Sequence, residues 1–234
     1  MKLILENIKK SFEKKEVLSN ITFTFETGYI YGLLGRNGAG KTTLFNCINE
    51  DLLIDEGVFE IEENGIRRKV NADDIGYVLS TPVVPEFLTG KEFLKFFIEI
   101  NKTKIHEYKS IDDYFDLVGI EIDDRDRLIK DYSHGMKNKM QMLVNFIAKP
   151  GILLLDEPLT SFDVVIAEEM KQLLRQMKGD HIIIFSTHIM ELALELCDKI
   201  VVLNNGVLEK VERDEDNAML KAKIINVLRG KEND

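Results

Sequence analysis

Residues 35–43 read Gly35-Arg36-Asn37-Gly38-Ala39-Gly40-Lys41-Thr42-Thr43, and their spacing fits G-x-x-x-x-G-K-[ST], a loop built to hold phosphate. Gly35, Gly38 and Gly40 open dihedrals closed to other residues and let backbone approach a ligand closely. Consecutive N–H groups of such a loop form an anion nest, reinforced by the positive end of the helix that follows. Lys41 would reach the terminal phosphates as a point charge, and the Thr42 hydroxyl would ligate Mg²⁺. The chemistry implied is binding of a nucleoside triphosphate.

Such a loop needs a strand entering it and a helix leaving it. Tyr29 to Leu34 is apolar enough for a buried strand, and Lys41 to Asn49 has helical character. Downstream, Gly151 to Leu155 is a fully apolar run ending in Asp156-Glu157; His181 to Phe185 leads to Ser186-Thr187-His188, and Lys199 to Leu203 leads to an Asn205-Gly206 turn. Continuous apolar strands alternating with helices, such as the one expected over 163–178, predict a parallel sheet covered on both faces. Ligands bind beyond the carboxyl ends of such strands, where the phosphate loop, Asp156-Glu157 and His188 all fall. Asp156 is then the expected acidic partner of a Thr42-bound Mg²⁺. Glu157 is the candidate to orient or deprotonate an attacking water.

The flanking segments complete the layout. Residues 1–28 suggest antiparallel strands, a short one at Leu3 to Leu5 and an alternating one at Ile21 to Phe25. Phe12 lies between them, as a packing anchor or as a platform for a nucleotide base. Gly57 to Ile61 with an Asn64-Gly65 turn suggests a hairpin whose Arg67-Arg68-Lys69 face is solvated. From Pro82 to about Ala148 the pattern is helical. Thr89 and Glu92 form a capping box, Ile111, Tyr114, Phe115 and Val118 share a helix face, and Ser133 caps a helix carrying Met136, Met140, Leu143, Val144 and Ile147. Residues 212–234 include Met219, Leu220, Ile224, Ile225 and Leu228 at roughly helical spacing.

Composition narrows the class. The chain has 234 residues and a formal charge of −10, from 31 Lys and Arg against 41 Asp and Glu, which disfavours non-specific nucleic-acid binding. Its two cysteines sit among apolar residues, as small core side chains do. No run approaches the ~20 apolar residues of a membrane span. The expectation is a soluble, cytoplasmic chain that reaches the inner face of the cell membrane only through a partner.

Together these motifs resemble the nucleotide-binding subunit of an ABC transporter, over about residues 1–210. Gly35 to Thr43 stands as Walker A and Ile152 to Asp156 as Walker B. Glu157 stands as the catalytic carboxylate, Ser161-Phe162-Asp163 as the D-loop, His188 as the switch histidine and Phe12 as the aromatic A-loop. Tyr132-Ser133-His134-Gly135-Met136 stands where the family has Leu-Ser-Gly-Gly-Gln, and in this form resembles the ABC-2 exporter branch. A glutamine that would touch Mg²⁺ and the attacking water is here Ser80, which stands with Thr42 and Asp156 on the metal side.

The resemblance implies an α/β P-loop NTPase fold with a mainly parallel core sheet, an N-terminal antiparallel β subdomain and an inserted α-helical subdomain. It places an ATPase domain over 1–211, the insertion at about 82–148, and a helical tail over 212–234. It implies ATP and Mg²⁺ as cofactors and a homodimer or heterodimer of such subunits. In that dimer Walker A of one copy faces Ser133 and Gly135 of the other, and Lys41, Glu157 and His188 carry catalysis. An integral membrane permease is the further partner, with exposed members of Phe87, Phe93, Phe96 and Phe97 receiving its helix. A soluble ABC-type ATPase and a weakly hydrolysing regulatory module are the rival readings, Ser80 being the best argument for the second.

Overall fold

Three apolar stretches, each long enough for one strand and bounded by turn residues or a helix start, build the centre of the molecule. The computed structural model describes residues 1–103, 105, 109–159, 162–212 and 216–229. In chain order, β1 (Lys2–Phe12) and β2 (Lys15–Glu26) form a hairpin, and β3 (Ile30–Leu34) leads through the glycine loop into α1 (Lys41–Ile48). The hairpin of β4 (Glu56–Glu63) and β5 (Ile66–Lys69) follows, then β6 (Ile75–Val78). The helices α2 (Gly90–Ile100), α3 (Ile111–Leu117), α4 (Ile122–Arg125) and α5 (His134–Ala148) lie between β6 and β7 (Ile152–Asp156). The chain continues through α6 (Val164–Met177), β8 (Ile182–Thr187), α7 (Met190–Leu196), β9 (Lys199–Asn204), β10 (Val207–Val211) and α8 (Asn217–Arg229).

Two sheets result. The first, ordered β2-β1-β4-β5, is antiparallel throughout. The second, ordered β10-β9-β3-β8-β7-β6, is parallel except for its β10 edge. Every residue of β3, β7 and β8 is buried, and alternation divides them between two cores. Tyr31, Leu33, Ile152, Leu154, Ile182 and Ile184 face the antiparallel sheet and α1. Ile30, Leu34, Leu153, Leu155, Ile183 and Phe185 face the helices.

Several details differ from the sequence pattern. The first strand runs on to Phe12, well beyond Leu5, because Asn7 bends it at φ 53° and its amide bonds Thr22 Oγ1 at 3.0 Å. Polar residues after the bend hide the strand from an alternation test. In α8 the buried face is Leu220, Ile224 and Val227, at i, i+4, i+7, while Met219 and Ile225 point outward. Ser161 of the expected D-loop lies outside the described residues; Asp163 beyond it caps α6, its Oδ1 accepting from Val165 N and Ile166 N at 3.0 Å.

Of the helices between β6 and β7, α2 and α5 start where their caps predict. Thr89 Oγ1 accepts from Glu92 N at 3.2 Å and Glu92 Oε2 from Thr89 N at 2.9 Å. Ser133 Oγ accepts from Met136 N at 3.2 Å, which begins α5, and Met140 packs in the core. Tyr132 is held under α2, its hydroxyl donating to Asp124 O at 2.8 Å and burial pushing its pKa up to about 12. Phe87 and Phe96 are well exposed, whereas Phe93 and Phe97 pack against the core and each other. No helix among the described residues is long and apolar enough to cross a membrane.

Candidate active site

Beyond the ends of β3 and β7 lies a cavity of about 580 Å³ lined by Phe12, Lys15, Val17, Asn37, Gly38, Gly40, Lys41, Thr42, Thr43, Ser80, Asp156 and Glu157. Residues more than a hundred positions apart meet there because β3 and β7 both flank β8. A helix leaves its first amides without intrahelical acceptors, so the start of α1 presents Lys41, Thr42 and Thr43 to this space as donors. Leu44 N is the first to bond back, to Gly40 O at 2.8 Å. Ala39 faces a neighbouring recess with Arg36, Asn205 and Gly206, and its amide is bonded to Arg36 O at 3.0 Å.

The three glycines serve two different needs. Gly38 and Gly40 have φ of 79° and 105°; Gly35 does not lie in the left-handed region, contrary to the dihedral role expected of it. Gly35 is required by space, since a Cβ there would stand 2.8 Å from Leu203 O. At Gly40 both constraints act, as a Cβ would also meet Val17 Cγ1 at 2.9 Å. Gly40→Ala is therefore expected to lower stability by about 1–3 kcal/mol through backbone strain, with loss of nucleotide affinity. A urea unfolding curve that matches the unmodified protein would contradict this.

Lys41 is buried with Nζ donating to Gly35 O at 2.8 Å and Arg36 O at 3.4 Å. Desolvation lowers its pKa, with Glu157 and Asp156 pulling the other way. A phosphate anion in the cavity would add to that second pull and favour the charged ammonium.

Thr42 Oγ1 donates to Asp156 Oδ2 at 2.8 Å, joining α1 to the end of β7. Asp156 is buried, and its other oxygen accepts from Ser186 Oγ. These are hard oxygen donors side by side, the chemistry that suits Mg²⁺. Glu157 has φ 49°, and its amide donates to Ser186 O at 3.2 Å, which turns its side chain into the cavity. His188 Nδ1 lies 2.9 Å from Glu157 Oε1, so the ring meets the carboxylate and is not among the cavity-lining residues.

Phe12 lines the cavity at the tip of β1, 45% exposed, with Lys10 Nζ 5.5 Å from its ring centre. Core packing is thereby excluded as its main role. Ser80 also lines the cavity and is exposed. Ser133 and Gly135 stand apart from the cavity at the N-terminus of α5, where Ser133 is exposed. The single chain does not bring this helix end and the cavity together.

Sequence reasoning missed Ser186, Lys15 and Val17, and also the pairing of His188 with Glu157. The first polar residue after the apolar run of β8, two positions before His188, was the available signal for Ser186.

A family model described as ABC transporter matches residues 18–160. The uncharacterized ABC transporter ATP-binding protein MJ1023 of Methanocaldococcus jannaschii is 35% identical over 207 residues, covering 88% of this chain and 75% of its own length. Human ATP-binding cassette sub-family A member 6 is 32% identical over 218 residues; the match takes in 88% of this chain but only 13% of that protein. Among solved structures, the ATP-binding cassette MJ0796, in a dimeric post-hydrolysis state bound to ADP and Pi, superposes with a TM-score of 0.75. The alignment covers 91% of this chain and all of that one at 20% identity, which speaks for the fold alone.

Proposed function

The chain belongs to the ABC transporter family as its ATP-binding subunit, and from that premise we propose that it hydrolyses ATP to drive a membrane exporter through closure of two copies. The observation that carries the reading is the convergence of Lys41, Thr42, Asp156 and Glu157 on one cavity, with Thr42 and Asp156 in direct contact.

In this reading the amides at the start of α1 and Lys41 bind the β- and γ-phosphates, and Phe12 stacks on the base. Thr42 and Asp156 would hold Mg²⁺, with Ser80 on the same side; the bound ion supplies charge neutralisation at the phosphates. Glu157 orients the attacking water and takes its proton. His188 steadies that carboxylate through Nδ1, leaving its other nitrogen for the γ-phosphate edge. The catalytic contribution is mainly positioning and electrostatics.

Ser133 and the α5 amides of a second copy complete the γ-phosphate site, an anion-binding helix N-terminus. That ATP-binding cassettes are seen as dimers supports the pairing. Closure is a population shift, because only the triphosphate supplies the bridging charge. Residues 1–211 act as the ATPase unit, with the insertion at about 82–148 and a tail from 212. Exposed Phe87 and Phe96 on that insertion receive a permease at the cytoplasmic face of the membrane. Export follows the Tyr132 to Met136 form.

The short side chain of Ser80 favours a second reading, a nucleotide switch that barely turns over. Phosphate release by the purified chain separates the two. The exporter reading expects steady release with ATP and Mg²⁺ that falls to background on adding EDTA; no release at saturating ATP would leave the switch.

A further inference from the structure

The ladder between β6 and β7 ends at Val78 and Leu155, so Leu79 and Ser80 leave the sheet just before Ser80 reaches the cavity. Something else must fix that backbone. The structure supplies Gln141, in the middle of α5, whose Nε2 donates to Leu79 O at 3.2 Å. Gln141 is only 5% exposed, in a stretch of α5 where Met140, Met142 and Leu143 are also buried. Burying an amide among apolar side chains is unfavourable unless it is hydrogen-bonded. Its presence there therefore points to the contact it makes.

The neighbouring turns of α5 show the same habit. One turn earlier, on the same face, Asn138 Nδ2 donates to Pro158 O at 2.8 Å, directly after Glu157. One turn later Asn145 Nδ2 bonds Gln141 O at 2.8 Å, and Asn145 Oδ1 lies 2.1 Å from where a Cβ on Gly76 would stand. Helix α5 thus packs closely on β6 at Gly76, and through Gln141 and Asn138 it holds the backbone at both loops that face the cavity.

We propose that Gln141 is a positioning residue for the ATP site, setting the place of Ser80 by holding Leu79 O. It does not touch substrate; it acts through the backbone one residue before Ser80. Because α5 also begins at Ser133, a displacement of that end by a second copy would be carried along the helix to Leu79 and Pro158. The kinetic part of the test rests on the ATPase reading above, whereas the exchange part does not.

Gln141→Met keeps length and bulk but removes the donor; Gln141→Glu keeps shape and replaces the donor with an acceptor. Both are compared with the unmodified full chain by hydrogen exchange, without nucleotide or metal. We expect exchange around Leu79 and Ser80 to speed about ten-fold, as loss of one local bond does, with β3 and β8 unchanged. In turnover assays we expect kcat to fall about ten-fold in Gln141→Met, and less than two-fold further loss when the change is added to Ser80→Ala, because both act on one element. Unchanged exchange at Leu79 and Ser80, or equal loosening of β3 and β8, would overturn the proposal. So would effects of Gln141→Met and Ser80→Ala that multiply in full. An unmodified chain without turnover would sink the ATPase reading, and the exchange result would then decide the role of Gln141 alone.

Discussion

Glu157→Gln is expected to lower kcat by roughly 10²–10⁴, the weight of a positioned general base, while ATP affinity stays within a few-fold. The substitution keeps size and shape and removes only the charge. The features that aim the side chain survive it, since the Glu157 amide bonds Ser186 O and the 2.9 Å contact with His188 can be made by an amide oxygen. Its positive φ of 49° is no harder for glutamine than for glutamate. In the proposed reading binding draws on Lys41, Thr42 and the α1 amides, which the change leaves alone. Single-turnover phosphate release and equilibrium ATP binding, measured side by side, check both halves. A kcat within three-fold of the unmodified protein would remove Glu157 from the chemistry.

Ser133→Asp is expected to abolish ATP-driven pairing and to lower turnover by about 10³. Aspartate caps a helix as well as serine does, so the bond from Met136 N that begins α5 is kept and the fold should not suffer. What changes is the sign of the charge presented to the γ-phosphate. Two negative groups about 4 Å apart at an effective dielectric near 20 repel by about 4 kcal/mol, close to three decades in a rate or an equilibrium. Because Ser133 stands apart from the cavity of its own chain, ATP binding to a single copy should be unaffected. Melting temperature, ATP affinity and ATP-dependent mass by light scattering separate these expectations. Pairing that persists in the variant would show that no phosphate faces this helix end.

Much of this molecule was legible because its chemistry is local. The glycine loop is contiguous, and Asp156-Glu157 follows an all-apolar strand. The caps at Thr89 and Ser133 each lie within three residues of the amide they bind. Buried strands announce themselves by composition, so the parallel sheet was readable too. The rest depends on contacts between distant positions. Gln141 meets Leu79 across 62 residues and His188 meets Glu157 across 31; no local pattern marks either pair. The second half of β1 was hidden by the bend at Asn7 and by the half-buried polar Lys9 and Lys10 beyond it. Gly35 was legible as necessary but for the wrong reason, since crowding by Leu203 O comes from a strand far along the chain.

The central claim is that one ATP is gripped by two copies, and mixing two dead variants tests it most directly. Lys41→Ala loses the phosphate grip but keeps Ser133; Ser133→Asp does the reverse. If the site is shared, each variant alone is inactive, yet an equimolar mixture regains activity: about a quarter of the unmodified rate if copies pair at random, rising to about a half if only mixed pairs close, since each mixed pair holds one intact site of two. A mixture as inactive as its two components, under conditions where the unmodified chain pairs on ATP, would contradict the shared site.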